Sequence, residues 1–544
     1  MHKPFAITLD VGTSLANKTG TWRVEKPKYV DLMPPCNNAC PAGENIQNWL
    51  YTAEDGSYEE AWRALMVDNP FPAVMGRVCY HPCESVCSRG NLDEAVGINS
   101  VERFLGDLAI EKGWTAPVTA ESTERSVLVV GAGPSGLSAA YHLRRMGHNV
   151  TVRDATDAPG GMMRFGIPKY RLPREVLDAE IARITDMGVR LELGTRVDDM
   201  NTAMAEGFDA VFLAVGAHIG KRAYIPAGES ARILDAVNLL RSVEDGTQPL
   251  LGRKVVVYGG GNTAIDAART AKRLGAEESV IVYRRTRERM PANDTEIEEA
   301  LEEGVLMKWL STVKHADEGV LKVERMELDE KGFPQPTGEF EDLEADSLVL
   351  ALGQEVDLSL LDRVDGLEIE DGVVKVNASM MTGHPGVFAG GDMVPAARTV
   401  TTAIGHGKKA ARNIHQWLRH EVHEAADKTP VVGADTLNPW YYADAPASVR
   451  PRLEAARRSS TFDEVVQGLD ESTALYEARR CMSCGNCFEC DNCFGVCPDN
   501  AVIKLGPGKG FEFNLDFCKG CGICMTECPS GSIVMVPEHQ AKSE

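Results

Sequence analysis

The spacing of the cysteines is the feature that most constrains the fold of this 544-residue chain. Five of the fifteen cysteines lie between Cys36 and Cys87, ten lie between Cys481 and Cys528, and none falls in the long stretch between. The last eight of these form two runs of the form Cys-x2-Cys-x2-Cys-x3-Cys-Pro, and matching cysteines are 31 residues apart. A secreted disulfide framework is typical of a small domain with a signal sequence. In a chain of this size, clustered thiols predict metal ligands instead.

The double run has the form of a bacterial ferredoxin with two 4Fe-4S clusters. Three thiolates spaced by two residues wrap a loop around three corners of an Fe4S4 cube, and the fourth cysteine of each run reaches the other cube. The spacing predicts one cluster held by Cys487, Cys490, Cys493 and Cys528, and a second held by Cys518, Cys521, Cys524 and Cys497. Zinc ribbons are the alternative, but their usual pattern is two CxxC knuckles with a longer spacer.

A glycine-rich turn near residue 131 predicts a dinucleotide-binding unit. An apolar strand from Ser126 leads into Gly131-x-Gly133-x-x-Gly136, an Ala/Leu-rich helix and a second strand ending at Asp154. In this fingerprint the first glycine allows the tight turn, the second lets the backbone approach a pyrophosphate, and the third lets helix pack on strand. The acid at the end of the second strand is expected to accept hydrogen bonds from ribose hydroxyls.

A second unit of the same kind follows at residue 254. Gly259, Gly261 and Ala264 fill its three turn positions, and alanine is permitted at the third. The second strand ends in Arg284 and Arg285, where an NAD site usually has an acid. Paired guanidinium groups suit a 2′-phosphate, which favours NADP over NAD, although two solvated surface arginines would give the same sequence.

Further motifs identify a family resemblance. They are 160–168 (GGMMRFGIP) with 171–173 (RLP), 213–217 (LAVGA), 259–270, 283–291 and 390–392 (GGD). Over roughly residues 36 to 415 the chain resembles the glutamate synthase small-subunit family of flavoproteins. The same unit is found in dihydropyrimidine dehydrogenase and in NADH-dependent ferredoxin:NADP oxidoreductase. The family inserts its nicotinamide domain into its FAD domain.

The resemblance implies the residues of both nucleotide sites. For FAD they are Gly131, Gly133, Pro134, Ser135, Gly136, Asp154, Gly161, Met162, Arg171, Ala214, Gly216, Gly391, Asp392, Thr401 and Thr402. For NAD(P) they are Gly259, Gly261, Asn262, Thr263, Ala264, Arg284 and Arg285. Asp392 is expected to bond the ribityl chain, and 399–403 to lie beside the isoalloxazine. No catalytic side chain is expected beyond flavin N5 and nicotinamide C4, between which hydride passes.

The amino-terminal cysteines resemble the helical iron–sulfur domain of this family. The resemblance implies a cube near the flavin, held by Cys40, Cys79, Cys83 and Glu102. Cys36 and Cys87 match a second cube, but the early CxxC pair that completes it in the family is absent. Cys481 and Cys484 are surplus to the ferredoxin, so a fourth cube held by Cys36, Cys87, Cys481 and Cys484 is one hypothesis. The other is a single amino-terminal cluster formed from some of the five early cysteines, without Glu102. Three or four 4Fe-4S clusters are therefore expected.

The predicted fold class is α/β. Two nested Rossmann-like dinucleotide-binding domains are preceded by a helical iron–sulfur domain and followed by a bacterial-type ferredoxin domain with two 4Fe-4S clusters. The predicted ranges are an arm that packs on a partner (1–30), the helical domain (31–115), the FAD domain (124–245 and 342–420), the inserted NAD(P) domain (246–341), a linker that wraps over the body (421–480) and the ferredoxin domain (481–544).

The charge of the chain excludes several classes of partner. Lys and Arg number 57 and Asp and Glu number 80, giving a net charge of −23. Such a surface repels phosphate backbones and anionic lipid, so no nucleic-acid and no membrane partner is expected. No uncharged apolar run reaches the roughly 18 to 20 residues of a membrane helix. Asp10 interrupts the short apolar run after Lys3, so no signal peptide is expected and the predicted location is cytoplasmic.

The resulting hypothesis is an electron-transfer flavoprotein subunit, an FAD-dependent NAD(P)H:acceptor oxidoreductase whose clusters exchange electrons with a partner. The sequence has no recognisable barrel, amidotransferase or thiamine site for another substrate. Expected partners are therefore catalytic subunits of a larger complex, such as a 2-oxoacid:ferredoxin-type oxidoreductase, a glutamate synthase large subunit or a formate dehydrogenase, or else free ferredoxin. The alternatives are a glutamate synthase small subunit, a non-catalytic relay scaffold and a self-contained pyrimidine-type reductase.

Overall fold

The computed structural model describes residues 18–221, 225–226, 232–421 and 429–538. Its first strand is β1 (Glu25–Tyr29), and a helical domain follows. That domain contains α1 (Pro35–Ala39), α2 (Ile46–Ala53), α3 (Tyr58–Leu65), α4 (Pro72–Val78), α5 (Pro82–Ser85) and α6 (Ile98–Lys112). Proline begins α1, α4 and α5, where its missing N–H is not needed. Cys40 directly follows α1 and Cys79 directly follows α4, so a thiol lies at the carboxyl end of each helix.

Two α/β units follow the helical domain. The first begins with β2 (Ser126–Val130), α7 (Pro134–Arg145), β3 (Asn149–Arg153), α8 (Met162–Phe165), α9 (Arg174–Thr185), β4 (Arg190–Glu192), α10 (Met200–Met204), β5 (Ala210–Leu213) and β6 (Ile219–Gly220). The second contains β7 (Ile233–Asp235), α11 (Ala236–Glu244), β8 (Lys254–Tyr258), α12 (Asn262–Arg273), β9 (Glu278–Val282), α13 (Asp294–Glu302), β10 (Leu306–Lys308), β11 (Ser311–Asp317), β12 (Val320–Leu328), β13 (Pro334–Glu344) and β14 (Ser347–Leu350). The first unit then resumes with β15 (Gln354–Glu355), β16 (Ile369–Glu370), β17 (Val373–Val374), β18 (Val387–Ala389) and α14 (Val400–Leu418).

The sheet pairing confirms the nested α/β architecture. The first sheet has the order β18-β5-β2-β3-β4 and the second β10-β9-β8-β14-β7, and all neighbouring strands in both are parallel. Strands β11, β12 and β13 form a separate antiparallel sheet. The chain leaves the first unit through β6 and returns through β15, and these two strands pair with each other. The apolar central strands of the two parallel sheets are buried, as expected for sheets covered on both faces.

The boundary of the inserted unit differs from the predicted range of 246–341. Strands β7 and β14 lie outside that range, and both belong to the second sheet. Both strands are short, and β14 is as apolar as the strands of the first sheet. The sequence therefore did not show whether they belong to the first sheet or to the second. By strand membership, the insertion extends at least from 233 to 350.

The remaining elements lead to a small cysteine-rich module. Helices α15 (Ala455–Arg458) and α16 (Glu471–Ala478) belong to the segment that wraps over the body, where Val465 N donates to Tyr170 O at 2.9 Å. The module, hereafter the ferredoxin module (481–538), contains α17 (Asn492–Val496), β19 (Val502–Lys504), β20 (Phe511–Phe513), α18 (Ile523–Thr526) and β21 (Ile533–Pro537). No helix within the described ranges is long and apolar enough to cross a membrane.

The amino-terminal arm packs on this chain itself, which corrects the expectation that it packs on a partner. Strand β1 pairs antiparallel with β21, from Glu25 opposite Pro537 to Tyr29 opposite Ile533. The arm is defined here as residues 18–30, because residues 1–17 lie outside the described ranges. Strand pairing across some five hundred residues leaves no local signal in the sequence.

Candidate functional site

Both glycine-rich turns open onto one cavity of about 1180 Å³ between the two α/β units. The turn at Gly131 joins β2 to α7, and the turn at Gly259 joins β8 to α12. Both lie at the carboxyl ends of parallel strands, where open α/β sheets bind their ligands. A single cavity therefore faces the two predicted nucleotide sites.

The first turn is built for close approach of its backbone. Gly131 has φ +111°, and a Cβ atom there would lie 2.3 Å from Ala214 O. Ser135, in the first turn of α7, has a buried hydroxyl with no hydrogen-bond partner in the structure. Helix amino termini with free donors favour phosphate groups. The turn therefore has the geometry and an unsatisfied donor for a pyrophosphate.

The second turn has the same form, with arginines beyond its second strand. Gly259 has φ +153°, and a Cβ atom there would lie 2.2 Å from Ala351 O. Arg284 is exposed, whereas Arg285 is half-buried, its guanidinium carbon lies 5.8 Å from the centre of the Phe333 ring, and its Nε has no hydrogen-bond partner among the described residues. Both arginines line the cavity. This unsatisfied guanidinium nitrogen fits a phosphate bound beside the second turn.

Most of the predicted nucleotide residues line this cavity. Of those predicted for FAD, the lining includes Gly131, Gly133, Pro134, Ser135, Asp154, Gly161, Met162, Arg171, Ala214, Gly216, Gly391 and Asp392. Of those predicted for NAD(P), it includes Gly259, Gly261, Asn262, Thr263, Arg284 and Arg285. Four predicted residues, all within the described chain, lie outside the lining: Gly136, Ala264, Thr401 and Thr402.

These four residues have other contacts. A Cβ atom on Gly136 would lie 1.9 Å from Gly131 O, so this glycine allows the helix to pack on the turn. Ala264 is fully buried in the core of the second unit. Thr402 N donates to the Oγ1 of Thr399, which caps α14. Thr401 directs its hydroxyl toward an amino-terminal thiol.

Two carboxylates line the first site. Asp154 Oδ2 accepts from Ala132 N at 2.6 Å and its Oδ1 accepts from Thr156 N at 2.8 Å, so this acid also holds the turn together. Asp392 is free of such backbone contacts among the described residues, and burial raises its pKa, which Arg398 partly offsets. Arg398 also lines the cavity and was not predicted; only its position beside the 399–403 motif pointed to it.

Arg171 connects the two units rather than pointing freely into the cavity. Its Nη1 donates to Asp266 Oδ2 of α12 at 2.7 Å, and its Nη2 pairs with Glu296 of α13. The neighbouring Tyr170 ring lies 3.7 Å from the Arg273 guanidinium carbon of the same helix α12. Because both contacts cross from the first unit to the second, they fix the orientation of the two sites across the cavity.

Three amino-terminal thiols and one carboxylate lie together beside the first unit. Burial raises the pKa of Cys79 to about 12, and the charge of Glu102 is the next cause. After burial, the charge of Glu44 and then that of Glu102 raise the pKa of Cys40. On Cys83 the charges of Glu84, Cys79 and Cys40 precede that of Glu102. Asn69 Nδ2 donates to Glu102 Oε1 at 2.9 Å. The structure thus brings together the four predicted side chains of the cube near the flavin.

Cys36, Cys87, Cys481 and Cys484 form a second group, although they come from opposite ends of the chain. Burial, followed by the charges of Cys87 and Cys484, raises the pKa of Cys36 to about 12. Burial also raises the pKa of Cys481, with Cys484, Cys36 and Cys87 contributing. All four thiols therefore lie within mutual electrostatic range.

Within the ferredoxin module, the eight cysteines of the two 31-residue repeats lie together in the two predicted groups. After burial, the charges of Cys493 and Cys528 raise the pKa of Cys487, and those of Cys528 and Cys487 raise the pKa of Cys490. In the other group, the charges of Cys497 and Cys521 raise the pKa of Cys518 after burial. The charges of Cys518 and Cys521 likewise raise the pKa of Cys524. None of the fifteen cysteines forms a disulfide.

The first thiol group directly adjoins the cavity. Thr401 Oγ1 donates to Cys79 Sγ at 3.2 Å from the first turn of α14. The residues on either side of this cysteine, Val78 and Tyr80, both line the cavity. Tyr80 was not predicted, although its position directly after a predicted ligand is a usable signal. One thiol group is therefore in contact with the wall of the nucleotide cavity.

The donor sets fit the implied cofactors. Each thiol group offers four soft or anionic ligands, which suits the four irons of a cube, since each ligand binds a different iron. Within the described part of the chain, no three His, Cys, Asp or Glu side chains are arranged around a single metal ion. The unpartnered Ser135 Oγ and Arg285 Nε fit the phosphates of two nucleotides.

Family models match three parts of the chain. Residues 125–407, more than half of the chain, match the pyridine nucleotide-disulphide oxidoreductase family. Residues 32–114 match dihydropyrimidine dehydrogenase domain II, 4Fe-4S cluster, and residues 511–534 match a 4Fe-4S binding domain.

Several curated relatives match most of the chain. The NADP(+)-dependent formate dehydrogenase subunit beta of Moorella thermoacetica is 37% identical over 506 residues, covering 83% of this chain and 70% of that protein. The NADPH-Fe(3+) oxidoreductase subunit beta of Geobacter sulfurreducens is 34% identical, with 84% and 76% covered. The glutamate synthase (NADPH) small chain of Escherichia coli is 32% identical, with 71% and 89% covered. The chain therefore belongs to the FAD-dependent NAD(P)H oxidoreductases of the glutamate synthase small-subunit family, with 4Fe-4S domains at both ends.

Proposed function

We propose that this chain is the nicotinamide-reactive subunit of a larger redox complex and carries electrons between its nucleotide cavity and a partner through four 4Fe-4S clusters. One observation carries the proposal: Cys79 accepts a hydrogen bond from Thr401 while its neighbours Val78 and Tyr80 line the cavity. A cluster held there lies against the nucleotide site without an intervening domain.

The positions of the two glycine turns on the cavity support the residue assignments. We assign FAD to the Gly131 turn, with Asp154 and Asp392, and NADP to the Gly259 turn, with Arg284 and Arg285. When bound, the flavin accepts a hydride and passes on single electrons. The chain holds the two turns on one cavity and fixes their relative orientation through the ion pairs of Arg171.

The four clusters form a continuous route. The first is assigned to Cys40, Cys79, Cys83 and Glu102, and the second to Cys36, Cys87, Cys481 and Cys484. The mutual charges of the second set support a cluster more than they support a single amino-terminal cluster that omits Glu102. The two ferredoxin clusters follow directly, because Cys484 and Cys487 are close in sequence. This order favours an electron carrier over a self-contained reductase.

The partner is proposed to be a catalytic subunit that exchanges electrons with the ferredoxin module. A 2-oxoacid oxidoreductase was expected from the sequence. A formate dehydrogenase and a glutamate synthase large subunit were also expected from the sequence, and the names of the Moorella and Escherichia relatives support these two. A cytoplasmic location is proposed as well, in keeping with fifteen cysteines that form no disulfide.

The native complex tests this proposal. The chain is purified anaerobically with whatever binds it, and NADP+ reduction is followed with formate or with a 2-oxoacid and coenzyme A, and NADPH oxidation with 2-oxoglutarate and glutamine. We expect one of these substrates to drive nicotinamide turnover in the complex and none to do so with the isolated chain. Turnover by the isolated chain with any of them would contradict the proposal.

A further inference from the structure

The amino-terminal arm wraps around the ferredoxin module and contacts both of its thiol groups. Gly20 N donates to Asp516 O at 3.0 Å, and Arg23 Nη1 donates to Cys518 O at 2.8 Å. Arg23 is also ion-paired to Glu538, at the end of β21. These contacts, together with the β1–β21 pairing, make the arm part of the module even though it is distant in sequence.

Tyr29, the last residue of β1, reaches the interior of the module. Its ring stacks on Phe513 at a centroid distance of 4.7 Å and on Phe511 at 6.3 Å. The ring packs against the small core that contains Cys493 and Ile533. Two aromatic neighbours and the strand pairing together hold the phenol in one orientation.

The phenolic oxygen of Tyr29 lies 3.2 Å from Cys493 Sγ. A thiolate that binds iron carries no proton, so in the loaded module the phenol is the donor and the sulfur the acceptor. A phenol keeps its proton near neutral pH, because its ordinary pKa is about 10. Cys493 belongs to the predicted cluster that also includes Cys487, Cys490 and Cys528.

We propose that Tyr29 tunes the reduction potential of the cluster assigned to Cys487, Cys490, Cys493 and Cys528. The inference rests on that proposed assignment and adds a role for the arm. A hydrogen bond to a ligand sulfur stabilises the reduced, more negative cluster over the oxidised one and therefore raises its potential. The arm thereby acts on electron transfer at the far end of the cluster route from the nucleotide cavity.

A Tyr29→Phe variant of the full chain tests the proposal, because it removes the hydroxyl and keeps the stacked ring. Potentials are measured by anaerobic redox titration monitored by electron paramagnetic resonance. We expect the equilibrium constant for one-electron reduction of one ferredoxin-module cluster to fall about tenfold, a shift of about 59 mV. Tyr476→Phe is the matched control, because that hydroxyl donates to Pro446 O, on the wrapping segment, and its loss is expected to shift no cluster.

A second substitution at position 29 is expected to shift the reduction potential of the cluster in the opposite direction. With 3-fluorotyrosine at position 29 the phenol is a stronger donor, so the same potential should rise rather than fall. This variant also serves if Tyr29→Phe lowers cluster content. Unchanged potentials in either variant at wild-type iron content would overturn the role of Tyr29 alone. Absence of the two ferredoxin-module clusters from the wild-type chain would overturn both this inference and the cluster assignment beneath it.

Discussion

At the residue scale, the most informative atoms are two buried donors without partners, Ser135 Oγ and Arg285 Nε. An unpartnered buried donor costs about 1–3 kcal/mol, and native structures retain few of them. Both lie in residues that line the cavity, beside the two glycine turns. In the proposed assignment, a nucleotide phosphate at each turn would supply the missing acceptor.

The arginine is the residue at which nucleotide preference is tested. Replacing it in an Arg285→Ala variant removes a donor from the proposed 2′-phosphate, and a hydrogen bond between charged groups contributes about 1.5–3 kcal/mol. We expect the KM for NADPH to rise roughly 10- to 100-fold and the KM for NADH to change little. Steady-state kinetics with each nucleotide and an artificial acceptor measure both.

Arg253→Ala provides the matched control for this substitution. Arg253 is exposed at the start of β8 and pairs with Glu277, so its loss should leave both KM values unchanged. If Arg285→Ala weakens NADPH and NADH equally, the arginine supports the fold of the turn and does not recognise a 2′-phosphate.

At the element scale, the notable feature is the turn at residues 481–484. Although it lies near the carboxyl end of the chain, it supplies two of the four thiols of the group that contains Cys36 and Cys87. Residues 481–484 follow α16 and are anchored by Arg480, which is buried and pairs with Glu477 at 2.5 Å. Its Nη1 also donates to Ala95 O at 2.9 Å. This anchoring holds Cys481 and Cys484 beside Cys36 and Cys87, and so the wrapping segment ties the ferredoxin module to the helical domain.

The iron content of the chain tests this junction. Four cubes contain about sixteen irons per flavin. A Cys481→Ser, Cys484→Ser double variant should retain its flavin and contain about twelve. Met482→Leu, a buried substitution in the same turn, should retain all sixteen. A wild-type value near twelve, unchanged in the double variant, would show that these four thiols hold no cluster.

Local sequence patterns predicted those elements whose functional residues lie close together in the sequence. The 31-residue cysteine repeat and both glycine turns indicated the module and the nested units, and sheet pairing and family matches agree. The pairing of β1 with β21 was not predictable, because partners so far apart share no local pattern. The contact of Thr401 was not predictable either. Its position in the motif suggested FAD, whereas in the fold its hydroxyl donates to Cys79 Sγ.

At the scale of the whole molecule, both ends of the chain contribute cysteines to the proposed electron route. The helical domain lies against the nucleotide cavity through Cys79, the wrapping segment brings in Cys481 and Cys484, and the arm completes the ferredoxin module. Each connection joins segments separated by hundreds of residues. We infer that the chain folds as one redox unit, with the nucleotide cavity at one end of the route and the ferredoxin module at the other.

Anaerobic titration of the isolated chain with NADPH, and separately with NADH, tests this account most directly. Flavin and cluster absorbance are followed together, and dithionite sets the fully reduced end point. We expect NADPH to bleach the flavin rapidly and the clusters to follow, with NADH less effective because it lacks the 2′-phosphate. If neither nucleotide bleaches the flavin while dithionite reduces the clusters, the chain is a relay scaffold and the central claim is wrong.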